Sequence, residues 1–432
     1  MRSLPVGGGY SRAGRSLGGT VLHSKVSRIA ATIAVAALAA CCEPSVFAQT
    51  AEASTPAARG AAAGDPGPRD PGRWLLTGWS GFPTDYWQGA TSDGRSLFFT
   101  GFFSGLWRTT RQGLRVDGRP QAIPADVAAA YGFNHIGDPS FDRAEGGRLL
   151  LPLECYVPGR GNTCGQGAIA VADPDDLSWR YLVLLDRSEV AKAMWVEVDP
   201  GGKYAWTSSG RDLLAYRTSA IARSHAAPRG APLRAARWLV GAVPPSGVTG
   251  GAFVGSRLFL AGQDAGFAIW SIDTTSGERR LEVELGAVAG ESEGLVTTRV
   301  FGGELNWLIA PLAARPTFGR WVAMLHLVRA RGRPGLTVSA RLVSQRGAFG
   351  GAGRQAKVVV RVTRRGRPVA GAAVTFAGAR ARSDRRGRAQ LVVRTAVPGR
   401  YAALARHGAL RGLSRRIAIG PPAPATVARA LP

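Results

Sequence analysis

Polar side chains that could bind a ligand or catalyse a reaction cluster in one short segment of the chain. Asn134, His135, Asp138 and Asp142 lie close together and are followed by Glu145. Loop carboxylate and amide oxygens are typical Ca²⁺ ligands, so Asn134, Asp138 and Asp142 form a candidate metal set. His135 could instead act as a general base, because imidazole titrates near neutral pH. The structural alternative is a tight turn fixed by Asn and Asp side chains.

A second polar group follows an aromatic residue further along the chain. If residues 195–199 form a strand, Trp195 and Glu197 lie on the same side of it and could line a channel. The alternative is an Asp199–Gly202 turn beside an exposed glutamate. The predicted ligand-binding residues are therefore Asn134, His135, Asp138, Trp195 and Glu197.

Familiar catalytic motifs are missing from the sequence. The segment Gly78–Phe82 lacks the last glycine of a G-x-S-x-G nucleophile turn, and neither H-E-x-x-H nor a phosphate-binding loop occurs. Asp264, Glu291 and Glu293 are further candidate channel acids, but their spacing defines no site. We therefore predict no catalytic residue, and calcium is the one cofactor that the sequence brings into consideration.

Charge divides the chain into unequal parts. The 432 residues include 55 basic and 29 acidic ones, for a net charge of +26, and 45% are hydrophobic, which excludes a fully disordered chain. Residues 331–432 hold 22 of the basic residues and a single acidic one, Asp384. The length predicts two domains, and the charge places their boundary near residue 330.

The N-terminal region predicts export. Lys25 and Arg28 precede the apolar run Ile29–Cys42, which is too short to span a bilayer but is typical of a signal peptide over residues 1–48. The alternative is a lipobox that ends at Cys41, which would then be lipidated. Both alternatives predict an extracellular or envelope-attached protein that meets the membrane only through its signal peptide or lipid anchor.

Two cysteines remain beyond the signal region. In an exported chain, Cys155 and Cys164 are expected to form a disulfide that closes a small loop. A metal site would require further cysteines or histidines at suitable spacing, and none stand nearby.

Glycine turns followed by short apolar runs recur after a linker over residues 49–73. The intervals between them are 53, 55, 53 and 48 residues, and the turns lie at Gly94, Gly147, Gly202, Gly255 and Gly303. Further short apolar runs follow each turn, and their composition predicts strands. Three or four strands in each unit of about 50 residues are typical of a β-propeller blade. We predict five or six blades over residues 74–328, with a large β-sandwich as the alternative.

Part of this region resembles a known class of proteins. The segments involved are Phe133–Asp138, Leu149–Leu153, Gly167–Val171, Met194–Pro200 and Thr207–Ser209. They resemble secreted bacterial propeller proteins and are similar to YVTN/NHL-type six-bladed propellers. The resemblance implies a fold and export, but no reaction.

Residues 329–420 alternate short apolar strands with turns, which predicts a small β-sandwich. The strings Gly366–Phe376, Ser383–Ala389 and Pro398–Tyr401 resemble bacterial Ig-like and carboxypeptidase-regulatory-like domains. The resemblance implies a spacer or attachment module. Residues 421–432 are predicted to be a disordered tail.

The basic C-terminal domain could attract an anionic cell-wall polymer, because arginine binds phosphate and carboxylate groups well. Few aromatic residues occur there, which argues against specific nucleic-acid binding. The alternative is codon bias, because only four of the 55 basic residues are lysines.

The sequence thus predicts an all-β protein, a five- or six-bladed propeller followed by an Ig-like sandwich. We expect a non-catalytic binding or scaffold protein of the bacterial envelope, whose propeller recognises an extracellular glycan, peptide or protein. The alternative function is a calcium-dependent hydrolase or lyase that acts on an extracellular substrate.

Overall fold

The computed structural model describes residues 73–420 except 102, 225–230, 289, 311–320 and 350–352. The predicted signal peptide, Cys41, the predicted tail and nearly all of the predicted linker lie outside these residues. Regular structure here is almost entirely β, as predicted, with two short α-helices, α1 (Ala125–Tyr131) and α2 (Thr218–Arg223). Within the same ranges, no helix is long and apolar enough to cross a membrane.

The region of the predicted propeller folds into five antiparallel sheets, preceded by the strand β1 (Trp74–Pro83). The first sheet holds β2 (Gly89–Ser92), β3 (Ser96–Thr100), β4 (Leu106–Thr110) and β5 (Arg115–Arg119). The second holds β6 (His135–Ile136), β7 (Ser140–Asp142), β8 (Arg148–Glu154), β11 (Ala168–Ala172) and β12 (Trp179–Leu184), with β9 (Tyr156–Val157) and β10 (Gly161–Asn162) as a separate hairpin.

The remaining sheets continue in chain order. The third holds β13 (Glu197–Val198), β14 (Tyr204–Ser209), β15 (Asp212–Arg217) and β16 (Arg237–Leu239). The fourth holds β17 (Gly250–Val254), β18 (Arg257–Gly262), β19 (Phe267–Asp273) and β20 (Arg279–Gly286). The fifth joins β21 (Glu291–Val296), β22 (Leu305–Ala310) and β23 (Trp321–Arg329) to β1.

Four of the predicted glycine turns occupy equivalent places in these sheets. Gly94, Gly147, Gly202 and Gly255 each lie between the innermost strand of a sheet and the next strand, with φ angles of 92°, 100°, 66° and 67°. Only glycine adopts such angles without strain, which explains why it recurs there. The sequence prediction of these turns is confirmed.

The five sheets close into a ring. Their innermost strands β2, β7, β13, β17 and β21 contact one another in a complete cycle. The ring closes because β1 pairs antiparallel with β23, from Trp74 opposite Arg329 to Pro83 opposite Trp321. Apolar side chains fill the spaces between neighbouring sheets, so strands such as β8 are buried on both faces. This arrangement is a β-propeller-like fold.

The C-terminal region forms two further sheets. One holds β24 (Arg333–Pro334), β28 (Ala373–Phe376), β29 (Ala379–Arg382), β32 (Leu404–His407) and β33 (Leu410–Leu413). The other holds β25 (Thr337–Arg346), β26 (Arg354–Arg364), β27 (Arg367–Pro368) and β30 (Arg388–Thr395). Buried residues of both sheets belong to one hydrophobic core, so the two sheets pack against each other.

This region is joined to the ring through a shared sheet and a shared core. The strand β31 (Gly399–Tyr401) pairs with β1, and β34 (Ile417–Ile419) pairs with β31. The same core includes Phe82 and Phe301 of the ring. All described residues fall in one compact unit, and β23, the last strand before the C-terminal region, ends at Arg329.

Candidate functional site

One end of the ring gathers polar and aromatic side chains from several sheets. In an antiparallel meander, the start of the first strand and the connection between the second and third strands lie at the same end of the sheet. The residues there include the ones before β2, the strand β6, the segment after β8 and the start of β21. We call the following set the acidic mouth: Trp87, Gln88, His135, Glu154, Tyr156, Glu291 and Glu293.

Gln88 is the centre of a hydrogen-bond network in the acidic mouth. Its Nε2 donates to Oε2 of Glu293 at 3.0 Å, and its Oε1 lies 3.1 Å from Nε2 of His135. Because Oε1 can only accept, His135 carries a hydrogen on Nε2 and donates it. One amide thus connects the first, second and fifth sheets.

The other side of the His135 ring faces a carboxylate. Nδ1 of His135 lies 3.0 Å from Oε1 of Glu154, and both side chains are buried. The ring of Tyr156 lies against His135, with 5.5 Å between the ring centroids. His135 and Glu154 therefore form a buried imidazole–carboxylate pair at the mouth.

Burial raises the pKa of Glu293 well above its usual value, and the nearby Glu291 and Asp138 raise it further, against a hydrogen bond from Trp87. Burial also raises the pKa of Glu291. Trp87, Gln88, Tyr156 and Glu291 remain partly exposed. A buried carboxyl group with a raised pKa therefore lies among side chains that are partly exposed to solvent.

Asp138 lies at the centre of the ring. Its Oδ1 accepts from the backbone N–H of Ala90 at 3.0 Å, and its Oδ2 accepts from those of Gly251 and Leu295 at 3.1 and 3.2 Å. Burial raises the pKa of Asp138 well above its usual value, and the three backbone donors oppose this rise. Asp138 thus ties the second sheet to the first, fourth and fifth, which is a structural role.

Glu197 lies further along the innermost strands than Asp138. Its Oε2 accepts from the Ser140 hydroxyl at 2.8 Å and its Oε1 from the N–H of Phe253 at 3.2 Å. Burial raises its pKa to about 7. Asp138 pairs in parallel with Trp195, so His135 and Glu197 lie on opposite sides of this level and do not share one mouth.

The remaining predicted site residues have protein partners. Asn134 exchanges two hydrogen bonds with the backbone of Tyr156, both at 2.8 Å. Trp195 is fully buried and donates to Ser208. Asp142 accepts two hydrogen bonds from buried Arg148, at 2.8 and 2.7 Å.

The predicted calcium ligands already form hydrogen bonds within the protein. The oxygens of Asn134, Asp138 and Asp142 accept hydrogen bonds from separate parts of the chain. In the part of the chain that the structure describes, no three His, Cys, Asp or Glu side chains are grouped as a metal site. The donor set expected for calcium is therefore not assembled from these residues.

The predicted disulfide is confirmed: Cys155 and Cys164 are bonded. It anchors the β9–β10 hairpin directly after Glu154, and this hairpin carries Tyr156 to the ring of His135. The disulfide therefore holds one wall of the acidic mouth.

Sequence reasoning missed Trp87, Gln88, Glu154 and Tyr156. They come from two segments, residues 87–88 and 154–156, and the first of these meets the second sheet and β21 only when the ring closes. The closest signal was Cys155, whose predicted disulfide marks the segment that carries Glu154 and Tyr156.

Comparisons with known proteins give no family assignment. No family model matches the chain, and no curated protein matches it. Among solved structures, glutaminyl cyclase from Myxococcus xanthus is similar at 10% identity and a TM-score of 0.38, covering 59% of this chain and 96% of its own. An exo-β-1,3-galactanase from Phanerochaete chrysosporium, solved with β-1,3-galactotriose, is similar at 9% identity and a TM-score of 0.41, covering 80% and 100%. These values carry no argument about the activity of this chain.

Proposed function

We propose that this protein is an exported ligand-binding protein whose recognition site is the acidic mouth. The observation that carries the proposal is Glu293, a buried carboxyl group with a raised pKa in a solvent-accessible cluster of aromatic and amide side chains. Strongly perturbed carboxyl groups in such places are typical of functional sites. The five sheets would be five propeller blades, and the C-terminal region an Ig-like sandwich.

The composition of the mouth selects the class of ligand. The partly exposed carboxyl group of Glu291 disfavours an anion, whereas Gln88 and the protonated Glu293 can exchange hydrogen bonds with hydroxyl or amide groups. Trp87 and Tyr156 add apolar ring surface with polar edges. The expected ligand is uncharged or cationic and rich in hydroxyl or amide groups, such as a neutral glycan or a peptide.

Binding to panels of neutral glycans and peptides tests this proposal. For a panel member that binds, we expect Trp87→Ala to weaken binding by about tenfold or more, because it removes contact area and a donor at the mouth. Trp238→Ala is the matched control, since Trp238 is an exposed tryptophan on β16 outside the mouth. Equal affinities of Trp87→Ala and Trp238→Ala would contradict the proposed site.

A second candidate function is acid–base catalysis at the same mouth. Glu293 could donate a proton, and the His135–Glu154 pair, linked to it through Gln88, could accept one. A hydrolase or lyase acting without calcium would then use these residues. Product analysis separates the two functions: an enzyme converts the bound ligand, and Glu293→Gln stops the conversion while binding is retained.

Export and attachment to the envelope are part of the proposal. The disulfide supports an oxidising compartment. Mass spectrometry of the mature protein should find either Gln49 or lipidated Cys41 at the N-terminus, and an intact Met1 would contradict export.

A further inference from the structure

The outward face of one C-terminal sheet carries a regular array of cations. The strands β25, β26 and β30 lie side by side, and their outward residues align in four rows across the sheet. The rows are Arg346–Gln355–Arg394, Ser344–Lys357–Val392, Arg341–Val359–Gln390 and Ser339–Arg361–Arg388. Every row contains at least one cation, and all six cationic side chains are exposed. We call these twelve residues the cationic face.

The array carries an electrostatic cost in the free protein. Arg361 lies directly opposite Arg388, and like charges in this position destabilise a sheet. The face itself contains no acidic residue. Asp384, the one acidic residue after position 330, turns its Oδ1 to the backbone N–H groups of Arg386 and Arg388. An anionic partner would relieve this repulsion.

The dimensions of the face suit an extended polymer. Strands lie about 4.8 Å apart, and same-side residues follow each other at roughly 6.7 Å along a strand. Three strands and four rows thus present cations over a patch of about 10 by 20 Å. A single small anion would contact one or two of the six cations, whereas a chain laid along the strands would meet all of them.

We propose that the cationic face binds a linear acidic polysaccharide. Guanidinium groups pair with carboxylates or sulfates in bidentate geometry. Ser339, Ser344, Gln355 and Gln390 stand between the cations and can hydrogen-bond sugar hydroxyls. No aromatic ring lies in the face, so it offers no platform on which bases could stack, which favours a polysaccharide over single-stranded nucleic acid.

The test measures binding of the full chain to polygalacturonate, with neutral dextran and single-stranded DNA as comparisons, at about 0.15 M salt. We expect Arg361→Gln/Arg388→Gln to weaken polygalacturonate binding by about tenfold. The matched control is Arg380→Gln/Arg415→Gln, which removes the same charge from exposed positions outside the face and should leave binding within about twofold. The Arg361/Arg388 variant should melt no lower than the wild type, because a repulsion is removed.

Equal losses in both double variants would overturn the proposal, since net charge alone would then explain binding. Tighter binding to DNA than to polygalacturonate, or undiminished binding to neutral dextran, would also overturn it. If the Arg361/Arg388 variant melts at a lower temperature, Arg346→Gln/Arg394→Gln replaces it, because this pair flanks Gln355 at the other end of the face.

Discussion

At the residue scale, a buried histidine connects the ring to the C-terminal region. Nδ1 of His326 lies 2.8 Å from Oδ1 of Asn306, and its Nε2 lies 2.7 Å from the Ser80 hydroxyl, which in turn lies 2.8 Å from the Tyr401 hydroxyl. Asn306 donates through Nδ2 to backbone carbonyls, so its Oδ1 accepts from Nδ1–H of His326. The network thus fits a neutral imidazole, and burial lowers the pKa of His326 to about 3.

This histidine should make the protein sensitive to acid. Between the unfolded pKa of about 6.5 and the folded value of about 3, the unfolded chain binds more protons, so stability falls as pH falls through this window. The variant His326→Gln should be less stable near neutral pH but lose less stability between pH 6 and 4. Urea unfolding across this range measures the slope, and exposed His407→Gln should keep the wild-type slope.

Glu293 should change the pH dependence of stability in the opposite direction. Its folded pKa lies above the unfolded value of about 4.5, so the native state binds more protons and loses stability as pH rises from there. Glu293→Gln cannot ionise and should melt at a higher temperature than the wild type at pH 8. At pH 4 the two should melt alike. A variant that melts lower than the wild type at pH 8 would show that Glu293 is not a destabilising charge.

The residues of the mouth show how far sequence reasoning reached. His135 and Glu293 were recognised as chemically suitable, but their partners Gln88 and Glu154 were not. The hydrogen bonds of Gln88 to Glu293 and His135 cross between sheets, so only the closed ring forms them. The contact of His135 with Glu154 forms within the second sheet, where β6 pairs with β8. Asn134 and Asp138 were predicted as metal ligands because of their side-chain oxygens. In the structure, these oxygens accept hydrogen bonds from backbone N–H groups.

At the element scale, the glycine turns were predictable because they are local. A positive φ angle imposes glycine at the same place in each repeat, and the intervals then follow from the length of a sheet. The number of sheets was less certain, because the repeat allowed five or six blades. In the structure, β1 completes the sheet that holds β21, β22 and β23.

The innermost strands meet so closely around Asp138 that three positions there admit only glycine. A Cβ atom at Gly89, Gly250 or Gly294 would overlap Asp138. We expect Gly294→Ala to lower the free energy of unfolding by about 2 kcal/mol or more, because the ring must shift to admit the methyl group. Chemical denaturation measures the loss, and Gly201→Ala, at an exposed position with room for a Cβ atom, should change stability much less.

At the scale of the whole molecule, the C-terminal region is more than an attached spacer. It shares a sheet with β1 and a hydrophobic core with Phe82, Val322 and Met324 of the ring. Removing it would expose this apolar surface and leave one side of β1 unpaired. The division into two domains stays a prediction from composition and strand pattern, while the shared sheet and core couple the two parts.

A chain that ends at residue 330 tests this coupling. We expect it to aggregate or to melt well below the full protein, because it exposes the apolar side chains of the shared core. Calorimetry of the full chain should show a single cooperative transition. The coupling would be contradicted by two separate transitions together with a soluble truncated ring that melts like the first of them. The C-terminal region would then be an independent module.

The position of β1 between β23 and β31 also sets an order of events during biosynthesis. Ser80 and Tyr401 are 321 residues apart, so a ribosome releases the central strand of the fifth sheet long before either neighbour exists. The ring cannot close until β23 has emerged, and β31 follows later still. A nascent chain of this design stays incompletely folded until its last strands have been made.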